Sequence, residues 1–201
     1  MKLHLRAASS LLFACAFAPL ASAGTVWNED TDGDLSNNGL APNFLTVVSG
    51  SNTVYGTTGN SDYDNFSFTV AEGSLFTGLV LQDGTSVAGD LSFIGMQAGP
   101  AFTLPIPLTS AVGMLGWTHY DPTLIGVDLL PSMAVPRFGS SGFGTPLPSG
   151  SYSLHVQDTS GGQAKYGFDI QISSVPEPAA GALALAGLLA LAAGSRARRQ
   201  R

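Results

Sequence analysis

Asn65-Phe66-Ser67-Phe68-Thr69-Val70 decides the fold class. Phe66, Phe68 and Val70 recur at every second position, so in an extended chain they share one face while Asn65, Ser67 and Thr69 take the other. Turn-forming residues flank the run, 56–60 before it and Glu72-Gly73 after it, which bounds a half-buried strand. Working outward, residues 43–48 and 52–55 read as two strands split by Ser49-Gly50-Ser51, and 75–81 and 91–96 as two more. Late in the chain Tyr152, Leu154 and Val156 alternate, as do Tyr166, Phe168, Ile170 and Ile172. With Ser160-Gly161-Gly162 between them, these two runs predict a closing hairpin. The same alternation sets His155 on the face opposite the core.

Between 99 and 148 the periodicity fails. Prolines at 100, 105, 107, 122, 131 and 136 exclude long helices and central strands, leaving a helical turn or two at 110–117 and at 124–130. Seven or eight short strands with frequent turn signals predict an all-β fold, an antiparallel β-sandwich of jelly-roll type.

The two ends have a different composition. At the N-terminus Lys2 and Arg6 precede an apolar stretch at 11–18, and Ala21-Ser22-Ala23 is a small-residue cleavage site, so 1–23 reads as a signal peptide and the mature chain starts at Gly24. At the other end, Pro176-Glu177-Pro178 leads into an unbroken run of Ala, Gly and Leu at 179–194. Arg196, Arg198, Arg199 and Arg201 follow within 195–201. A helix of that length covers roughly 24 Å against roughly 30 Å of hydrocarbon, a thin membrane span, and the arginines act as a stop-transfer cluster holding that end in the cytoplasm.

Motif, apolar helix and arginine cluster together resemble the PEP-CTERM sorting signal of Gram-negative bacteria, with Pro176, Glu177 and Pro178 as its signature. The resemblance implies that 175–201 is a transient inner-membrane anchor cut by an exosortase-type peptidase, after which the body reaches the cell surface or the exopolysaccharide matrix of a biofilm. The alternative is a permanent single-span anchor.

Six of the eight Lys and Arg residues lie in these ends, so the region from Gly24 to Pro178 sets two bases, Arg137 and Lys165, against 14 acids, a formal charge of −12. That surface repels nucleic acid and favours cations or cationic surfaces as partners. The one cysteine, Cys15, lies in the leader, so the body at 24–174 has no disulfide and is stabilised by an ordinary core.

Two segments of the body, 62–73 (Asp62-Tyr63-Asp64-Asn65-Phe66 onward) and 147–156 (Leu147-Pro148-Ser149-Gly150-Ser151-Tyr152 onward), resemble the bacterial pre-peptidase C-terminal domain. The resemblance implies a small β-sandwich that accompanies secreted hydrolases without catalysing anything, in some cases with calcium. The insert at 99–148 departs from that compact pattern.

Few residues point to chemistry. His119 and His155 stand apart, no cysteine remains in the body and no G-x-S-x-G occurs, which argues against zinc catalysis, a Cys nucleophile and a hydrolase elbow. The expectation is therefore no enzyme, with a secreted hydrolase using a site within 99–148 as the alternative. The one candidate metal set is Asp30, Asp32, Asp34, Ser36 and Asn38, oxygen ligands at every second residue of a loop, as calcium takes them. Gly33 comes two places early for an EF-hand, and Ala41 stands where its bidentate Glu belongs. A solvated acidic turn is the other reading. Asp62 and Asp64 join the set if the fold brings them near. Trp27, Trp117, Tyr120 and Phe143 are a candidate stacking platform for sugars, or simply core. Through bridging divalent cations, the acidic body is further expected to associate with anionic exopolysaccharide.

Overall fold

A computed structural model describes residues 24–89, 91–159 and 162–175. The elements are β1 Gly24–Asn28, α1 Glu29–Asp32, β2 Asn43–Leu45, β3 Gly50–Thr58, β4 Asp64–Val70, β5 Ser74–Leu81, β6 Ser92–Ala98 and β7 Gly116–Tyr120. A 3-10 turn at Pro122–Leu124, α2 Leu130–Met133, β8 Gly150–Asp158 and β9 Ala164–Ser174 complete the chain.

The strands form two sheets, one ordered β1-β3-β9-β5 and the other β2-β4-β8-β6-β7. From β3 to β6 the chain passes back and forth between them, so those sequential strands face each other across the core, and it crosses again from β8 to β9. Phe66 and Phe68 of β4, Ile94 and Met96 of β6, and Leu154 and Val156 of β8 project inward from the five-stranded sheet. They meet Val54, Leu79, Phe168 and Ile170 of the four-stranded sheet. Burial of each such side chain contributes about 1.5–3 kcal/mol, and the summed effect stabilises the sandwich. Phe68 meets Phe76 edge-on, with ring centroids 5.2 Å apart, the arrangement that the aromatic quadrupole favours.

Three expectations are corrected. The sheets are mixed rather than purely antiparallel: β1 pairs with β3, and β2 with β4, in parallel. Each of these pairs is separated in sequence by a long connection, which is what parallel neighbours require. The two late alternating runs are not a hairpin. β8 lies between β4 and β6 while β9 lies between β3 and β5, so both are central strands of opposite sheets. Alternation marks a strand's buried face but does not name its partner. Third, 110–117 is a turn leading into β7, because the apolar side chains there cover a sheet face instead of forming a helical stripe.

The outer face of the five-stranded sheet is covered as well. Phe93, Phe102 and Met114 form a second apolar cluster, flanked by Leu104, Leu108, Ala111 and Trp117, so residues of the 99–115 stretch lie over β6 and its neighbours. Gly95 makes room for this cover: a Cβ there would meet the Phe93 ring at 3.0 Å and the Met114 sulfur at 3.2 Å. His155 does project opposite the main core, but it is fully buried under Phe102, whose ring stacks on the imidazole at 5.0 Å.

The segments 1–23 and 176–201, with the cleavage residues Ala21 and Ala23, the motif Pro176-Glu177-Pro178 and the four arginines, lie outside the described residues. Among the described residues no helix is long and apolar enough to cross a membrane.

Candidate functional site

The acidic segment after β1 does not fold as an extended ligand loop. Asn28 caps α1, its side chain accepting from the Asp30 N–H at 3.1 Å, and Asp32 Oδ2 accepts from the Asn28 N–H at 2.8 Å. A helical turn places every second side chain on different sides, so Asp30 and Asp32 do not converge with Asp34. Ser36 and Asn38 cap their own turn: Ser36 Oγ accepts from the Asn38 N–H at 3.1 Å and Asn38 Oδ1 from the Leu40 N–H at 3.0 Å. Such local bonds are what Ser and Asn offer in turns.

Asp34 instead meets Glu29 and Asp64, the three carboxylates having oxygens within 4.8 Å of one another. Each arrives from a different element. Glu29 opens α1, and both of its oxygens are pinned, Oε1 by the Leu35 N–H at 2.9 Å and Oε2 by the Thr57 N–H at 2.7 Å. Asp34 follows the helical turn and is exposed. Asp64 is the first residue of β4 and points inward at one end of the inter-sheet core, where it is wholly buried. Its Oδ2 accepts from the Tyr166 hydroxyl at 2.7 Å, and its Oδ1 has no hydrogen-bond partner. Gly56 allows this contact, since a Cβ there would meet the Tyr166 oxygen at 2.3 Å.

The electrostatics follow from that placement. Burial, and then the Glu29 charge, push the Asp64 carboxyl from its ordinary value of 3.8 up to about 9, against a lowering by the Tyr166 hydrogen bond. Burial also raises Asp62, with the Asp34 and Glu29 charges adding to it. Four carboxyl groups thus share one end of the sandwich. All their donors are hard oxygens, suited to calcium rather than zinc, and the unpartnered buried oxygen of Asp64 fits a cation ligand. The acid-rich spacing marks the region, and Asp64 carries its signal as an acid opening a strand. Nothing local marks Tyr166, 102 residues away from Asp64.

His119 Nδ1 lies 3.2 Å from the Ser92 carbonyl, and His155 sits between Asn65 Oδ1 at 2.9 Å and the Gln157 side-chain amide at 3.0 Å. Burial lowers the His155 imidazole from 6.5 to about 4. The four aromatic residues expected as a platform are dispersed. Tyr120 is buried edge-on to Phe168, Trp27 donates its indole N–H to the Gly33 carbonyl at 3.0 Å, and Phe143 packs on the main core. Only Trp117 lies on the outer face, beside Phe93 at 5.5 Å.

No family model matches this chain, and no curated protein does. Solved structures that match include PliG of Salmonella Typhimurium, a periplasmic lysozyme inhibitor of g-type lysozyme, at 20% identity over 66% of this chain and 100% of that one, with a TM-score of 0.33. A mutant of the corresponding PliG from Escherichia coli matches at 21% identity over 65% of this chain and 97% of that one, with a TM-score of 0.32.

Proposed function

We propose that this chain is an exported, non-catalytic protein of the bacterial cell envelope whose β-sandwich body binds a divalent cation, calcium by its donor set, through Glu29, Asp34 and Asp64. The observation that carries the cation reading is the Asp64 carboxyl, buried with one oxygen unpartnered beside two further carboxylates. A bound cation would supply the positive charge that this cluster lacks, and Asp64 would give up its proton to become a ligand. Glu29, already held by two backbone N–H groups, is oriented for the same task.

The strand order supports a jelly-roll reading of the sandwich: β3-β9-β5 and β4-β8-β6-β7 match that topology with one outer strand reduced to isolated bridges, Val80 to Asp128 and Phe76 to Leu147. An accessory module of the pre-peptidase type fits this architecture and the resemblance at 62–73. The signal peptide at 1–23 and the PEP-CTERM-like tail at 175–201 supply the route: export, an inner-membrane intermediate, exosortase cleavage and release to the surface or matrix. There a body of charge −12 is held to anionic exopolysaccharide by bridging cations.

Calcium titration of the full chain followed by calorimetry tests the site. Binding is expected to raise the melting temperature, to release about one proton per calcium near neutral pH, and to vanish in Asp64→Asn. Binding that persists in Asp64→Asn, or that releases no proton, overturns the assignment. The intact mass of the protein from membrane and extracellular fractions of its native cells tests the route. A mass ending near Pro178 outside the membrane supports sorting, and one that retains Arg201 in the inner membrane alone rejects it.

A further inference from the structure

Trp117 stands on an outer-face pocket of about 220 Å³ that shares no lining residue with the acidic cluster. The register of the sheet builds it. His119, Phe93 and Gln157 lie side by side across β7, β6 and β8, and in the next row Gly95 separates Trp117 from His155. Phe138 closes one side, its ring 5.7 Å from the indole of Trp117. The indole is fixed by its N–H to the Arg137 carbonyl at 3.4 Å and by the Arg137 guanidinium 5.0 Å over the ring.

Phe138 is anomalous for a residue with only a structural role. It is 81% exposed, so folding gains little from its ring. It also has a φ of +50°, next to Gly139 at +94°. A turn with both central residues left-handed favours Asn-Gly, and a phenylalanine in the first place is strained. Ser140 ties this turn shut, its N–H and hydroxyl both donating to the Arg137 carbonyl, at 3.0 and 2.9 Å. An aromatic ring held outward at a conformational cost, over a concave site, is placed for a ligand.

The polar groups of the pocket define the ligand's chemistry. His119 Nδ1–H donates to the Ser92 carbonyl, which leaves the other ring nitrogen, Nε2, for a ligand. Asn65 donates its amide to the Ser36 carbonyl at 2.7 Å and so presents Oδ1 to His155, whose Nδ1 must then carry the proton. His155 Nε2 lies 3.0 Å from Gln157 Oε1, and Gln157 also lines the pocket. Hydroxyls, an amide, an imidazole and flat rings therefore line the site, and among the described residues no Asp, Glu, Lys or Arg does. On a body with so many acids, an uncharged lining excludes ionic recognition and suits a ring with hydroxyls at its edge and C–H groups on its face.

We infer that this pocket is a binding subsite for a neutral saccharide unit, stacked on Phe138 beside Trp117 and hydrogen-bonded by His119 and Gln157. The reading goes beyond the cation site and stands without it.

The test is calorimetry and intrinsic tryptophan fluorescence on the full chain, in a detergent without a sugar headgroup. The probes are tetramers of β-1,4-glucose, β-1,3-glucose and β-1,4-N-acetylglucosamine, with tetragalacturonate as the charged comparison. At least one neutral tetramer is expected to bind and to change the tryptophan emission. Phe138→Asn should weaken it roughly tenfold while leaving the melting temperature unchanged or higher, and Phe138→Tyr should keep it. Failure of every neutral tetramer to bind, an unchanged affinity in Phe138→Asn, or a preference for tetragalacturonate would overturn the inference.

Discussion

Both faces of the five-stranded sheet carry buried side chains, but by different physics. On the inner face Phe66, Phe68, Ile94, Met96, Leu154 and Val156 are apolar and need only a facing sheet. On the outer face Asn65 and His155 are wholly buried polar groups, and their burial is tolerated because each is hydrogen-bonded: Asn65 to Ser36, His155 to Asn65 and Gln157. Phe102 and Met114 then close over them from a segment that has no regular structure. The polar side of an amphipathic strand is thus not always its solvated side. A core specified by transfer free energy tolerates similar apolar shapes, whereas one built over a hydrogen-bonded chain depends on each partner.

The sharpest way to break this contrast is a pair of truncations. Phe68→Ala, at an enclosed inner position, is expected to cost about 3–5 kcal/mol. Phe102→Ala should cost less, about 2 kcal/mol, because loop residues can collapse or admit water to groups that can hydrogen-bond it. Urea denaturation of both variants decides. Equal losses would mean that the two faces are one core. In Phe102→Ala the His155 imidazole should also titrate above about 4, toward 6.5, as water returns, which NMR reads directly.

A second comparison uses pH, because the buried titrating groups on the two faces act in opposite directions. His155 has a depressed folded value, so its contribution is present above pH 6.5 and is lost as pH falls toward about 4. Asp64 has a raised one, so without a cation its contribution is present below 3.8 and is lost as pH rises toward about 9. Between pH 4 and 6.5 the two slopes oppose each other. Asp64→Asn should therefore steepen the loss on acidification and should stabilise the cation-free protein near pH 8, on the order of 2 kcal/mol. Thermal melts across pH 4–9 with chelator check this, and a variant with the wild-type profile would show that Asp64 titrates normally.

The smallest expected effect is at the rim of the outer face. Phe138→Asn relieves a left-handed phenylalanine and should gain up to about 1 kcal/mol, visible as a small rise in melting temperature. A loss instead would mean that the exposed ring supports the fold.

Much of the fold was legible along the chain. Strands β3, β4, β5, β6, β8 and β9 each carry an alternating or apolar run, and the inward residues of β4 and β8 are those the alternation marks. Edge strands β1 and β7 were missed, since five residues containing a Trp or a His give too short a period to read. For the site, the acid-rich stretch after β1 was visible, but its ligand pattern was not. The extended spacing of Asp30, Asp32 and Asp34 is undone by a capped helical turn, and Asp34 is completed instead by Glu29 and Asp64.

By itself, then, the sequence determined which face of each main strand is apolar and how acidic the body is, because partition between water and core and formal charge are properties of residues in order. The tertiary structure alone decided that β8 and β9 lie in opposite sheets, that His155 is buried, and that positions 29, 34 and 64 share one place. Those outcomes depend on which strands pair across long connections and on what the 99–115 segment covers. Such choices are made by the total of non-local contacts against chain entropy, and no local stretch carries them.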